Sequence, residues 1–414
     1  MQEFQIGPQE AGQRFDKYLK KLLPEASSGF LYKMLRKKNF TLNGAKATGS
    51  EELHVKDEVK LFLSDETFRK FAGAAQKARE YESLRILKAA ADDAGKTASA
   101  MPEILYEDAD ILIVNKPAGM LSQKAEQKDI SANEYILNYL IQKGELTETQ
   151  LRTFRPSVCN RLDRNTSGLL IAGKTLKGLQ EMSEALKERS IQKYYRCLVT
   201  GELREPAHIS GWLIKDPHTN RVKIVTHKES DPTINTRESG AAPGVTGRPA
   251  DRRKTTLHEE QKPKTTLHEQ QETIRHEQQK PKTIRHKEKE TIRHEEQRQK
   301  QALRMEEQRQ KPQRIETAYR PVAVGNGYTE LEVHLITGRS HQIRAHLASV
   351  GHPVLGDPKY GDPAENRRLR NILPAASQLL HAYRLEFADG RIFTAPVPAE
   401  YEAVRAHLKL PAHS

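Results

Sequence analysis

Residues 251–314 cannot contribute to a hydrophobic core, and that restricts every other reading of this chain. They hold almost no large apolar side chains and repeat themselves: Lys254-Thr255-Thr256-Leu257-His258-Glu259 returns at 264–269, Thr-Ile-Arg-His stands at 273, 283 and 291, and Glu-Glu-Gln-Arg-Gln-Lys at 295 and 306. A unit near ten residues is far shorter than the roughly 20–50 residues of stacking repeats, and its copies offer too little apolar surface to bury against one another. The expectation is a solvated tether, disordered or marginally helical. His258, His268, His276, His286 and His294 lie eight or ten apart without supporting acids or thiols at ligand spacing, so they read as part of the tether and not as a metal site.

The tether interrupts a domain. Glycines and prolines at 240–249 mark where the chain leaves, and Arg314-Ile315-Glu316-Thr317-Ala318-Tyr319 reads as a resumed strand. The low-complexity insertion is accordingly placed at 228–313, in a surface loop. Charge belongs to the whole chain: residues 251–314 carry 18 Lys or Arg against 12 Asp or Glu, +6 of the net +13, leaving +7 for the rest. A basic protein of 414 residues suits a polyanionic partner, with nucleic acid ahead of anionic lipid. Two cysteines, Cys159 and Cys197, give no disulfide framework and favour a reducing compartment, each thiol expected half-buried. No apolar stretch is long enough to span a bilayer and the first residues lack a leader pattern, so the expected location is cytoplasmic, away from membranes.

The folded parts read as two units. Phe15, Leu19, Leu22 and Leu23 share one helical face, and Phe30, Leu31, Met34 and Leu35 another after Ser27 and Ser28. Phe40-Thr41-Leu42-Asn43-Gly44 reads as a strand ending in a turn, and 58–63 as a second strand. This gives a small α+β module at 1–64. Residues 65–100 turn to Ala, Lys, Glu and Asp without a firm apolar stripe, which reads as a helical or loose linker. From Ile104 the chain alternates short strands and turns, giving a second domain over 101–400 and a C-terminal tail at 401–414. Arg36, Lys37 and Lys38 close the second helix, where they can meet phosphates or cap its carbonyls.

Three polar segments of the second domain carry the candidate chemistry, and all three are read as loops around one cleft. In Asn160-Arg161-Leu162-Asp163-Arg164-Asn165-Thr166-Ser167-Gly168, Asp163 sits between two guanidinium groups, which would keep it ionised. Alone, such a segment reads as a surface turn whose Asp caps amides. The other two are Lys193-Tyr194-Tyr195 and Thr337-Gly338-Arg339-Ser340-His341-Gln342-Ile343-Arg344-Ala345-His346. There Gly338 would permit a tight bend, and a helix from near Ser340 would turn Ile343 and Leu347 inward and the basic residues outward. Arg339 and Arg344 could bind phosphate or carboxylate, or Arg344 could pair with a core acid. The His341 and His346 spacing is not that of a zinc protease, and no metal is expected.

These segments, with Ile104 to Gly119 and Gly351-His352-Pro353-Val354-Leu355-Gly356-Asp357, resemble the RluA-like RNA pseudouridine synthases over most of 101–400. Residues 13–63 resemble a small RNA-binding domain shared by a small-subunit ribosomal protein and bacterial tyrosyl-tRNA synthetases, in Arg14, Asp16, the basic end of the second helix and Leu42-Asn43-Gly44. The first resemblance implies an α+β catalytic domain with a mixed, mainly antiparallel sheet, and an isomerase acting without cofactor or metal. It implies Asp163 as catalytic carboxylate, Tyr195 as the tyrosine that stacks on the base, Arg344 as partner of Asp163, and Arg161 as an aid to extruding the nucleotide. Arg164, Arg339 and His341 join Arg36, Lys37 and Lys38 as RNA contacts. The family usually has His where this chain has Asn160. The implied partner is RNA, with large-subunit ribosomal RNA ahead of transfer RNA; no obligate protein partner is expected, and the chain is expected to be a monomer. The rival readings are a non-catalytic ribosome-assembly factor and a sugar hydrolase, the latter short of the usual second carboxylate.

Overall fold

The structure, a computed structural model describing residues 1–73, 80–82, 84, 102–126, 129–216, 219, 221–225, 312–372 and 377–411, starts with a strand that pairs far along the chain. Strand β1 (Gln2–Gln5) lies antiparallel to β4 (Glu58–Leu61), and with β2 (Phe40–Leu42) and β3 (Ala45–Lys46) forms a sheet in the order β1-β4-β2-β3. Asn43 (φ 51°) and Gly44 (φ 73°) make the left-handed turn between β2 and β3, which few other residue pairs adopt without strain. Helices α1 (Phe15–Leu22) and α2 (Ser28–Arg36) lay Phe15, Leu19, Leu22, Leu31 and Leu35 on this sheet, all buried. Ser27 caps α2 by accepting from the Phe30 amide at 3.2 Å.

The N-terminal module extends past its expected boundary. Residues 65–72, expected in the linker, form helix α3 (Asp65–Ala72), capped by Ser64 and burying Phe68 and Ala72 in the same core. The alternating charges hid a stripe of only two large residues, Phe68 and Phe71. The rest of that segment lies almost wholly outside the described residues, as does the repetitive insertion. The module also docks on the following domain: Gln9 donates to the Glu145 carbonyl at 2.9 Å, accepts from Gln150 at 3.0 Å, and its own carbonyl accepts from the Leu176 amide. Thr153 donates to the buried Glu10 carboxyl, which burial pushes above the usual carboxylate range.

The chain separates into two units: Met1–Leu213, Val222–Ile224 and Arg314–Ser414 form one, and Ile214–Arg221 with Val225–Gln313 the other. The first carries the main sheet. Its strands are β5 (Glu103–Glu107), β6 (Ile111–Lys116), β7 (Ser157–Val158), β8 (Ser167–Gly173), β9 (Gln192–Thr200), β10 (Ala207–Lys215), β11 (Val222–Val225), β12 (Gln313–Gly325), β13 (Tyr328–Leu335), β14 (Leu380–Glu386) and β15 (Ile392–Thr394). Their order is β11-β10-β12-β13-β9-β14-β8-β6-β5, with β7 on β8 and β15 on β14. Pairing is antiparallel across β12/β13/β9/β14 and β8/β6/β5, and parallel only where β14 meets β8 among the registers described. The fold is α+β with a mainly antiparallel sheet.

Both faces of the sheet centre are covered, which explains the unbroken apolar run Leu169-Leu170-Ile171-Ala172. Leu170 and Ala172 of β8 face a core with Tyr195, Cys197, Val333 and α4 (Ala132–Gln142). Leu169 and Ile171 face another with α6 (Leu176–Glu188), which follows the short α5 (Glu148–Thr153). Helix α7 (Gln342–Ser349) lies on the Tyr195 side, and α8 (Pro363–Ile372) follows. Two expectations are corrected. Residues 401–407, expected in a tail, belong to helix α9 (Ala399–His407), which buries Tyr401 and Val404 beside Leu198; Tyr401 and Val404 recur at helical spacing there. Cys197 is fully buried in the core and not half-buried, because its position on β9 faces inward.

Candidate active site

Segment 160–168 runs from β7 into β8, and its shape is set by neighbours more than by its own charges. The Asn160 side chain accepts from the Ile171 amide at 2.8 Å and donates to the Leu169 carbonyl at 3.3 Å, tying the start of the loop to β8. Ser122 holds Leu162 at both backbone groups, donating to its carbonyl (2.9 Å) and accepting from its amide (3.0 Å). The Thr166 amide donates back to the Asp163 carbonyl, closing a tight turn. Gly168 then has φ +111°, and a Cβ there would stand 2.2 Å from the Ala382 carbonyl oxygen, so only glycine lets β8 and β14 meet. Beneath the turn, the fully buried Lys116 donates to the carbonyls of Pro117, Met120 and Arg164. Burial pulls its ammonium down to about 7, against the attraction of the Asp163 charge.

Asp163 is met by a residue 181 positions away. Arg344 donates through Nη1 to Asp163 Oδ2 at 2.6 Å, and through Nε and Nη2 to the two oxygens of Asp357 at 2.6 and 2.8 Å. The second contact is a two-pronged pair with a carboxylate of zero exposure, so the guanidinium plane is fixed before it reaches Asp163. Burial alone would raise the Asp357 carboxyl; the Arg344 guanidinium and the amides of Lys359 and Tyr360 hold it below the usual carboxylate range. Asp163 keeps 27% of its side-chain surface exposed, against 4% for Arg344. It is the open end of a carboxylate–guanidinium–carboxylate row.

His341 and Tyr195 complete the surroundings. His341 (φ 57°, ψ 12°) is the left-handed residue before α7. Tyr360 accepts from the Val222 amide at 2.9 Å, leaving its hydroxyl proton for His341 Nδ1 at 3.0 Å. With the Tyr360 hydroxyl as donor to Nδ1, the neutral imidazole carries its proton on Nε2, which lies 4.0 Å from Asp163 Oδ1. Burial lowers the His341 pKa, favouring the neutral ring, although the Asp163 charge opposes this. Tyr195, 6% exposed, stands on β9 opposite Val333 and Ala382. Burial, and then the Asp163 charge, push its hydroxyl well above the usual phenol range, and that hydroxyl has no hydrogen-bond partner among the described residues.

Asp163, Tyr195, His341 and Arg344 are thus brought together, while the other expected site residues are not. Arg161, Arg164 and Arg339 are exposed and form no ion pair among the described residues, so the guanidinium that holds Asp163 comes from α7 and not from its sequence neighbours. Arg36, Lys37 and Lys38 are exposed at the end of α2. Three details differ from expectation. Lys193-Tyr194-Tyr195 lies inside β9, where alternation puts Tyr195 in the core and stacks Tyr194 on His334. The left-handed bend before α7 is at His341 and not at Gly338, and the helix starts at Gln342. Ile343 and Leu347 point inward, but Arg344 and His346 are buried too, because Asp357 and Thr317 supply partners on the other sides of α7. Asp357, Tyr360, Lys116 and Ser122 were not singled out beforehand. Gly356-Asp357 was the visible signal for the first, but a buried acid partner cannot be told from a turn aspartate by spacing alone.

A family model described as RNA pseudouridylate synthase matches residues 110–349. The chain is 25% identical over 98% of its length to ribosomal large subunit pseudouridine synthase D of Nitrosomonas europaea, covering 87% of that protein. It is also 25% identical over 98% of its length to ribosomal large subunit pseudouridine synthase C of Escherichia coli K12, covering 95% of it. Among solved structures, human RNA pseudouridylate synthase domain containing 4 aligns over 81% of this chain and 100% of its own, with 15% identity and a TM-score of 0.49. With the family match spanning more than half of the sequence and including Asp163, Tyr195 and Arg344, this chain belongs to the RNA pseudouridylate synthase family.

Proposed function

We propose that this chain converts uridines of large-subunit ribosomal RNA to pseudouridine, with Asp163 as the carboxylate that acts on the ribose. The observation that carries the reading is the row Asp163–Arg344–Asp357: a carboxylate fixed by an oriented guanidinium, partly open, beside a buried tyrosine whose hydroxyl has no partner among the described residues. The choice of ribosomal RNA rests on the names of the relatives.

The resemblance to the family supplies the chemistry, and the geometry is compatible with it. The glycosidic bond between the uracil nitrogen and the ribose carbon breaks, and the ionised Asp163 bonds to or stabilises that carbon. The detached base rotates and rejoins through carbon; the proton on that carbon is lost to solvent and the freed nitrogen takes one up, so no net proton is gained or lost. Arg344 aims Asp163 through its fork to Asp357, and Tyr195 stacks on the base, its neutral hydroxyl able to pass a proton on but not to hold one as a base. Flipping the uridine out of its stack costs a few kcal/mol, and stacking on an aromatic ring returns about 1–3 kcal/mol of it. Arg161 aids extrusion, Arg164, Arg339 and His341 line the approach, and Arg36, Lys37 and Lys38 add phosphate contacts from the N-terminal module.

The test is pseudouridine mapping of total RNA from a strain whose only copy carries Asp163→Asn. Loss of specific ribosomal pseudouridines, with RNA binding kept, is the expected result. An unchanged pseudouridine map would sink the assignment, and loss at transfer RNA sites alone would correct the substrate.

A further inference from the structure

One cation near the site has no partner among the described residues. Lys193 lies on β9 two residues before Tyr195, so strand alternation puts both side chains on one face. Its ammonium rests against Gly338, 3.5 Å from where a Cβ of that residue would stand, at the start of the segment that carries Arg339 and His341. It is half-buried, and no carboxylate, carbonyl or hydroxyl accepts from it among the described residues. The charged groups that act on it make matters worse: Arg189 is the neighbouring charge it feels, and Lys193 in turn disfavours the charged form of His334. Burial, followed by Arg189, lowers its pKa.

Lysines in folded proteins that lose water usually gain an anion. The contrast within this protein is plain. Lys116 gives its protons to three carbonyls, and Lys174 pairs with Glu107 at 2.6 Å and Glu145 at 2.7 Å. Lys193 alone of these half-buried or buried lysines is left with its donors open, on the face that holds Tyr195.

We propose that Lys193 binds a phosphate of the RNA backbone beside the flipped-out uridine, at the Gly338 edge of the site. The inference rests on the reading of the site as one that takes a nucleotide out of an RNA strand. A phosphate group brings a full negative charge and several acceptor oxygens, which meets both the charge and the hydrogen-bonding shortfall of Lys193. Beside Tyr195, Lys193 would fix the strand while the ring holds the base.

The experiment compares Lys193→Gln and Lys193→Arg with the wild-type chain, using a uridine-containing stem-loop RNA that the wild type modifies. Binding is measured across a salt series, and initial rates across RNA concentrations. Loss of one phosphate contact should reduce the slope of log affinity against log salt by about 0.7. In Lys193→Gln we expect that reduction and a rise in KM of roughly tenfold that exceeds any fall in kcat, with Lys193→Arg restoring both. A wild-type slope in Lys193→Gln overturns the proposal, and so does a Lys193→Arg variant as impaired as Lys193→Gln. Equal salt slopes with a lowered melting temperature in both variants would show a packing role instead, which also overturns it. If the wild type modifies no RNA, the functional reading itself fails, and the two failures are thereby distinguished.

Discussion

The two faces of β9 are built from the same materials and end in opposite states. On one face, Arg344 joins Asp163 and Asp357 beside Tyr195. On the other, Glu332 accepts from Arg320 at 2.6 Å and from Tyr383, Arg384 lies 3.6 Å from the same carboxylate and 4.1 Å over the Tyr194 ring, and Arg196 stacks on Tyr383. Both are arginine, carboxylate and tyrosine. The second network shares one carboxylate among several donors and ties strands β9, β12, β13 and β14 together, although Arg196 Nη1 and Arg384 Nε are buried there without a hydrogen-bond partner among the described residues. The first leaves one carboxylate partly open and one phenol unpaired. Composition does not separate the two faces; exposure of the carboxylate does, since Asp163 keeps 27% of its side-chain surface open and Glu332 only 7%.

The largest effect that would break this contrast is on turnover. Asp163→Asn should reduce pseudouridine formation to background while shifting the urea midpoint little, because the side chain is partly solvated; a large stability loss would mean that Asp163 is structural after all. Asp357→Asn should lose most turnover and also about 3–5 kcal/mol of stability, since it strips a buried guanidinium of its two-pronged partner; urea unfolding and single-turnover rates measure both. On the opposite face, Glu332→Gln should cost about 1–3 kcal/mol in the same unfolding assay, with turnover per folded molecule retained. If Glu332→Gln abolishes turnover, the two faces are not functionally separate.

A smaller effect is expected from pH. His381 is fully buried where β14 meets β8; its Nδ1 accepts from Ser167 at 2.8 Å and its Nε2 donates to the Ala395 carbonyl. Burial pulls its pKa down to about 4 from an ordinary value near 6.5. Between those two values the unfolded chain binds the proton and the folded one does not, so stability is intact above pH 6.5 and falls as pH drops towards 4, by roughly 2–3 kcal/mol. His381→Gln should flatten that part of the stability profile; an unaltered slope in urea melts from pH 7 to 4 would refute the account.

The sequence made the helical faces of α1 and α2, the apolar run of β8 and the resumption of a strand at 314 legible, because each is a local pattern of side-chain period. It left α3 and α9 unread, since two or three buried residues among charges make a weak stripe. At the site, Asp163, Tyr195 and Arg344 were reached through motifs, while the fork to Asp357 and the relay from Val222 through Tyr360 to His341 depend on loops folding over one another. The same limit explains Asn160: its hydrogen bonds to β8 give it a backbone-pinning role that no neighbouring residue announces. Arg161 and Arg164 misled for the opposite reason, as proximity in sequence suggested a contact with Asp163 that their exposed side chains do not make.

The shared arginine also sets the charge state through which the proposed reaction passes. In the row two carboxylates share one guanidinium, an acid in excess of its base, which suits a polyanion poorly. In the proposed function, approach would then rest on the exposed cations Arg161, Arg164 and Arg339. If the proposed reaction passes through an ester of Asp163 with the ribose, that carboxylate is neutral in the adduct, and Arg344 with Asp357 remain as a balanced pair. The adduct would therefore sit in a locally neutral environment, and restoring the repulsion on its breakdown would favour release of the modified strand.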